Sequence, residues 1–165
     1  MRCFQGRLFT VDGMVEDEAP LKKEIYEQIR YYATTSVARR IEHIMQAIKL
    51  ACASEPPKIQ TDRIYVRNGT YFVDGHFSAE KEYCMNRLPI AYVSDAPAPT
   101  RWLQFLIELL YEEDIPALQE YIGYCLLPVT KAQKMLLMVG KGGEGKSRIG
   151  LILRELFGSS MYTGS

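Results

Sequence analysis

An α+β architecture is the expectation for these 165 residues, and three features of the string carry it. Apolar residues recur at helical spacing through residues 21–51. β-forming residues flank Asn-Gly and Asp-Gly pairs between residues 64 and 75. A short apolar run at residues 135–139 then leads through a glycine-rich octapeptide into a further helical pattern. With 47% hydrophobic content, the chain can fill the core of one domain or of two small ones.

Taken in order, Leu8-Phe9-Thr10-Val11, a turn at Asp12-Gly13, and Met14-Val15 suit a short hairpin. Pro20 opens a helix with Leu21, Ile25, Ile29 and Tyr32 on one face. A second helix carries Val37, Ile41, Ile44, Ile48 and Ala51 as a stripe, and Glu55-Pro56-Pro57 stops it because proline lacks the N–H a helix requires. Lys22-Lys23 and Arg39-Arg40 lie off these stripes and read as a solvated face, with nucleic-acid contact as the alternative.

Ile64-Tyr65-Val66-Arg67, Asn68-Gly69 and Thr70-Tyr71-Phe72-Val73 form the strongest hairpin pattern, because both turn residues tolerate positive φ. Asp74-Gly75 offers a second turn, and Arg87 to Val93 reads as another strand, confined to an edge by Pro89. Tyr65, Tyr71, Phe72 and Tyr92 are assigned to packing rather than to a base-stacking platform, since aromatic residues favour strands in any case. Ala96-Pro97-Ala98-Pro99 is a stiff connector. Thr100 is expected to cap a helix from Arg101 to Tyr111, apolar almost all round and so buried. Asp114 is expected to cap the next, with Leu118, Tyr121, Ile122, Cys125 and Leu126 facing inward and Pro128 ending it.

The run Met135-Leu136-Leu137-Met138-Val139 has the composition of a strand buried on both faces of a parallel sheet. Gly140-Lys141-Gly142-Gly143-Glu144-Gly145-Lys146-Ser147 then matches the phosphate-loop pattern G-x-x-x-x-G-K-[ST] in full. Such a match arises by chance in about half a percent of chains this long. Ile149, Ile152, Leu153, Leu156 and Phe157 follow at helical spacing until Gly158, which can take the left-handed turn that ends a helix.

The chemistry explains the residue types. Without Cβ atoms, Gly140, Gly142, Gly143 and Gly145 let the backbone turn tightly and aim N–H groups at phosphate oxygens, while the positive end of the helix adds favourable field. Lys146 would reach the β- and γ-phosphates as a point charge, which makes it the catalytic candidate, and the Ser147 hydroxyl would ligate Mg²⁺. Lys141 and Glu144 fill free positions facing solvent, and Arg148 closes the segment assigned to ATP.

Twenty basic and twenty acidic residues cancel, so DNA contact would have to come from a local patch. No apolar run reaches bilayer length and the first residues lack a secretory pattern, so no membrane association and a cytoplasmic location are expected. Cys3, Cys52, Cys84 and Cys125 show no C-x-x-C pair, and His43 and His76 stand apart, which argues for reduced, buried thiols over a zinc site.

The second half also resembles the phage and plasmid primase-helicase family, whose motor belongs to helicase superfamily three. The matching pieces are Asn68-Gly69 and Asp74-Gly75, the stretch Arg87 to Tyr92 with Asp95-Ala96, the segment Trp102 to Leu110, Leu118 to Tyr124, and Gln133 to Leu137 running into the loop. Residues 60–165 are covered, and the segment before them is similar to the helical, winged-helix-like region that precedes such motors. The resemblance implies an AAA+ ATPase that assembles as a ring, usually a hexamer, and unwinds DNA at a phage or plasmid origin. Only Gly140, Gly145, Lys146 and Ser147 are carried over by position; the family often has asparagine where this chain has Glu144.

The expected layout is a helical region at 1–57, a hairpin region at 58–98, a helical pair at 99–128, and the start of a P-loop ATPase domain at 129–165. Phosphoryl transfer also needs an acid on a neighbouring strand and an arginine finger from the next subunit. Glu155, the only acid after the loop, sits on the loop's own helix, so the chain reads as the front portion of a larger enzyme without turnover. Two other readings stay open: a non-catalytic DNA- or partner-binding adaptor with a remnant loop, and another P-loop enzyme such as a nucleotide kinase.

Overall fold

The computed structural model describes residues 1–142, 145–158 and 161. Among these the fold is mixed α and β, with five helices and two three-stranded antiparallel sheets. The chain divides into two compact units, Met1–Lys58 with Tyr83–Met85, and Ile59–Glu82 with Asn86–Ser165.

In the first unit, β1 (Arg2–Phe4), β2 (Arg7–Thr10) and β3 (Gly13–Met14) make one sheet in the order β1-β2-β3. Thr10 faces Gly13 across the β2–β3 turn, so that turn is centred on Val11-Asp12, one residue earlier than the sequence suggested. β1 was not anticipated at all. It is joined to β2 through Gln5 and Gly6, both at positive φ (48° and 76°). Its other edge is satisfied by the chain after the second helix: the Cys3 N–H donates to the Cys52 carbonyl (2.8 Å) and the Ser54 N–H to the Cys3 carbonyl (2.9 Å).

Two helices cover this sheet's apolar side chains, α1 (Ala19–Ile29) and α2 (Val37–Ala51). Pro20 sits in the first turn of α1, where its missing N–H has no partner to lose, and the Asp17 carboxylate accepts the Ala19 N–H at 2.8 Å. Cys3, Leu8, Ile25 and Met45 form the buried core, with Leu21, Ile29, Ile41, Ile44 and Ile48 packed around it. Tyr32, expected on the α1 face, lies beyond the end of that helix and is exposed, as is Ala51 at the end of α2. Lys22–Glu42 (2.6 Å) and Lys49–Glu18 (2.7 Å) brace α1 against α2. Both pairs remain in contact with solvent, the second half-buried, and pairs near a surface contribute about 0–1 kcal/mol each, so the brace orients the helices more than it stabilises them.

The second unit opens with β4 (Arg63–Val66), β5 (Gly69–Phe72) and β6 (Phe77–Ser78), again antiparallel in chain order. Val66 pairs with Gly69, which makes Arg67-Asn68 the two-residue turn and puts Gly69 inside β5. The glycine is required for a different reason than turn geometry: a Cβ there would collide with the Ser78 carbonyl and meet the Phe77 ring at 2.8 Å. Asp74-Gly75 does form the second turn, closed by the Gly75 N–H to the Phe72 carbonyl (2.9 Å). There the Asp74 carboxylate accepts the His76 N–H (3.1 Å) and faces His76 Nδ1 (2.7 Å), which together hold its carboxyl below the ordinary range.

Residues 87–93 are not a strand. Pro89 removes one donor, and what remains is the Leu88 N–H to the Tyr65 carbonyl (2.8 Å) and the Arg67 N–H to the Ile90 carbonyl (2.7 Å). Side chains complete the attachment. Asn68 exchanges two 2.8 Å hydrogen bonds with the backbone of Tyr92, and Arg87 donates to the carbonyls of Val66 (2.6 Å), Gly69 (3.1 Å) and Glu82 (2.7 Å). Of the aromatic set, Tyr65 is buried, whereas Tyr92 contacts Tyr71 and Phe77 with ring centroids 4.9 and 5.0 Å away, and Phe72 stacks on His76 at 3.9 Å.

Three helices follow: α3 (Thr100–Leu109), α4 (Asp114–Cys125) and α5 (Lys146–Phe157). Thr100 and Asp114 are the first helical residues of α3 and α4 rather than their caps, and neither helix has a side-chain cap. Leu106, Leu118 and Ile149 form the buried core, with Trp102, Phe105, Leu109, Ile122, Leu136 and Leu153 against it. α3 is less enclosed than its composition suggested, since Ile107 faces solvent. Cys125, expected inward, is exposed, while Cys3 and Cys84 are buried; none of the four cysteines is in a disulfide.

The largest departure is at residues 135–139, where no strand forms. Leu136 packs on the helical core, but Met135, Leu137 and Val139 are 86%, 79% and 85% exposed. A run apolar at every position carries hydrophobic side chains on both faces, and among the described residues only one face is covered. No helix among the described residues is long and apolar enough to cross a membrane.

Gly69→Ala should lower stability by about 1–3 kcal/mol in a urea melt, because overpacking against a carbonyl cannot relax by side-chain rotation. Gly123→Ala, in the exposed last turn of α4 with nothing within 4 Å of the added carbon, should raise stability by up to about 0.5–1 kcal/mol in the same measurement.

Candidate functional site

The glycine loop lies between the partly packed run at 135–139 and α5. Gly142 and Gly145 both take positive φ (95° and 94°), a region that costs other L-residues about 1–2 kcal/mol. Gly145 is the residue before α5, and its carbonyl accepts the Arg148 N–H at 2.9 Å, closing the first turn. The residue at the helix's N-terminal cap is a glycine, which has no side chain to offer as a cap.

What fixes this turn in space is packing at the next residue after Arg148. Ile149 is completely buried with Leu106 and Leu118, and the Phe105 ring stands 3.2 Å from where a Cβ on Gly145 would be. Position 145 is therefore constrained twice, by backbone conformation and by a neighbouring ring. Gly150, one turn along, has open space around it.

Of the residues assigned to ATP, Lys146 is half-buried, while Gly140, Lys141, Gly142, Ser147 and Arg148 are exposed. Gly143 and Glu144 lie outside the described residues. Lys146, Ser147 and Arg148 all belong to the first turn of α5, which brings an ammonium, a hydroxyl and a guanidinium to the same helix end. These groups, with the amides, are the donor set that a Mg²⁺-bound triphosphate takes up. Among the described residues no three His, Cys, Asp or Glu side chains come together to hold a metal. His43 is exposed on α2, and His76 is engaged by Asp74 and Phe72, so neither joins this site.

Beside the loop lies a cavity of about 310 Å³ between residues 136–139 and the helices, lined by Leu109, Leu110, Ala117, Leu118 and Ile149 with two polar residues, Asp114 and Lys146. Asp114 and Phe105 were absent from the sequence-derived site. Asp114 looked like a helix cap and Phe105 like ordinary core; only the packing of α3 and α4 against α5 reveals their positions, and no local pattern could have done so. The supporting strand, by contrast, was expected and is missing: residues 135–139 pair with no sheet among the described residues. A parallel ladder needs a second strand alongside to take up its N–H and C=O groups, and none is placed there.

Comparison with protein-family models and with curated proteins gives no match for this chain.

Gly145→Ala should shift the urea midpoint downward by an amount corresponding to about 1–2 kcal/mol, because the new side chain demands a left-handed conformation beside Phe105. Gly150→Ala should leave the midpoint unchanged or raise it, since that residue is helical and unobstructed.

Proposed function

We propose that the chain binds ATP with Mg²⁺ through residues 140–148 and represents part of an ATP-dependent DNA helicase of phage or plasmid replication. The observation that carries the nucleotide reading is the conjunction at one place of a full phosphate-loop pattern, two glycines at positive φ and a helix beginning at Lys146. In this reading the loop amides and Lys146 neutralise the β- and γ-phosphates, and the Ser147 hydroxyl takes one position on the metal. The ion supplies charge neutralisation on the phosphate oxygens when bound. DNA as the polymer acted on, and a ring of identical subunits, come from the resemblance of residues 60–165 to primase-helicases.

Hydrolysis needs more than this loop. Among the described residues no carboxylate stands on a strand beside it, so weak nucleotide binding without turnover is the expected behaviour of residues 1–165. A second reading, a non-catalytic adaptor for DNA or a protein partner, is favoured by one observation: the apolar run that should anchor the loop in a sheet stands largely exposed.

Titrating a fluorescent ATP analogue into the purified chain with Mg²⁺ separates the two. Saturable binding, weakened about tenfold or more by Lys146→Ala through loss of a charge-assisted contact, is the expected result. Affinity unaffected by that substitution removes the loop from the site and leaves the adaptor. Phosphate release should stay at background in both proteins; Mg²⁺-dependent release by the wild type that disappears in Lys146→Ala would show that the chain is catalytically complete.

A further inference from the structure

We propose that the connector between α1 and α2, together with the first turns of α2, is a binding surface for single-stranded nucleic acid. It lies wholly in the first unit, uses none of residues 140–148, and so stands or falls apart from the nucleotide reading.

The argument begins with charge. From Tyr31 to Ile41 the chain contains no carboxylate, and Arg39 and Arg40 are both exposed. The acids nearest in sequence are occupied elsewhere: Glu42 pairs with Lys22 at 2.6 Å, and Glu27 with Arg30 at 3.1 Å. Neither Arg39 nor Arg40 has an ion-pair partner among the described residues. The whole chain is neutral, so two uncompensated guanidinium groups beside the exposed hydroxyls of Thr34, Thr35 and Ser36 make a local basic, hydrogen-bonding patch.

The aromatic residues say which polyanion fits. Tyr32 is 88% exposed and its ring has no aromatic or cationic contact among the described residues, while Tyr31 is 74% exposed with the Arg30 guanidinium 4.7 Å from its ring centre. The Arg30 side chain also donates to the Tyr31 hydroxyl at 2.7 Å, which holds that ring in place. Nor is Tyr32 left outside by a loose loop. The N–H groups of Tyr32 and Ala33 both donate to the Ile29 carbonyl at 2.9 Å, and Ala33 is 4% exposed, so the connector is pinned from beneath and presents the ring outward.

A pinned, solvent-facing tyrosine gives up apolar burial that an aromatic side chain normally supplies, which is reasonable where a partner covers the ring. Bases of a single strand have free π-faces to stack on it, whereas a duplex keeps its bases stacked inside; phosphates spaced along the strand match Arg39 and Arg40. Charge complementarity selects an anionic polymer, and the exposed rings select one with unpaired bases.

The test is fluorescence anisotropy with the full chain and a labelled, mixed-sequence single-stranded DNA of about 20 nucleotides, long enough for an ordinary site. Measured between about 50 and 200 mM salt, wild-type binding should weaken steeply, and the Arg39→Ala/Arg40→Ala double variant should bind about tenfold or more weakly with a log–log salt slope flatter by about 1.4. Tyr32→Ala should weaken binding by about 5- to 100-fold and Tyr32→Phe should restore it, because stacking needs the ring and not the hydroxyl. All three side chains are exposed, so circular dichroism should show unchanged folds. Lys146→Ala should bind the strand as the wild type does. Absence of binding, wild-type affinity in both the arginine and the Tyr32→Ala variants, equal affinity for duplex with Tyr32→Ala silent, or loss in Lys146→Ala would each overturn the proposal.

Discussion

The contact of Ile149 with Leu106 and Leu118 is the constraint on which the second unit's candidate site depends. A glycine-rich loop has almost no side chains with which to hold itself, and ordering its backbone costs about 1–2 kcal/mol per residue, so its position has to be set from outside. Ile149 and Leu106 are both completely buried, each worth about 1.5–3 kcal/mol relative to exposure. Because α5 starts only three residues before Ile149, seating that side chain also seats Gly145, Lys146 and Ser147. Phe105, next to Leu106 on α3, reaches Gly145 and ties the same helix pair to the loop's conformation.

Two segments of this unit handle the same backbone problem differently. Residues 87–93 cannot form a regular ladder with Pro89 among them, and the side chains of Asn68 and Arg87 supply much of the hydrogen bonding that a strand partner would have provided. Among the described residues, 135–139 have no such substitutes. Their apolar side chains are divided between a core-facing Leu136 and outward-facing Met135, Leu137 and Val139, so the segment gains from burial on one side only.

The chemistry proposed for the two units has a common basis. Each relies on cations held near a helix start, Lys146 on α5 and Arg39 with Arg40 on α2, to meet phosphate oxygens. They differ in what accompanies the charge. At α5 it is bare backbone made accessible by glycine, which suits the compact phosphates of a nucleotide; at α2 it is tyrosine, which suits a strand with bases to stack.

Short-range patterns were legible without coordinates. Helical periodicity located α1, α2 and α5, Pro20 marked the start of α1, and turn chemistry located both hairpins to within a residue, because these signals depend on neighbours three or four positions away. The spacing of Gly140, Gly145, Lys146 and Ser147 is likewise a purely local statement. Tertiary structure alone decided the rest: that β1 joins β2 and the chain after α2, that Gly69 is required by the Ser78 carbonyl rather than by its turn, and that Asp114 and Phe105 stand beside the loop. It also decided that a run with strand composition remains unpaired among the described residues. Composition reports which side chains favour burial, but a ladder forms only where another stretch of backbone lies alongside, and that is a property of distant residues.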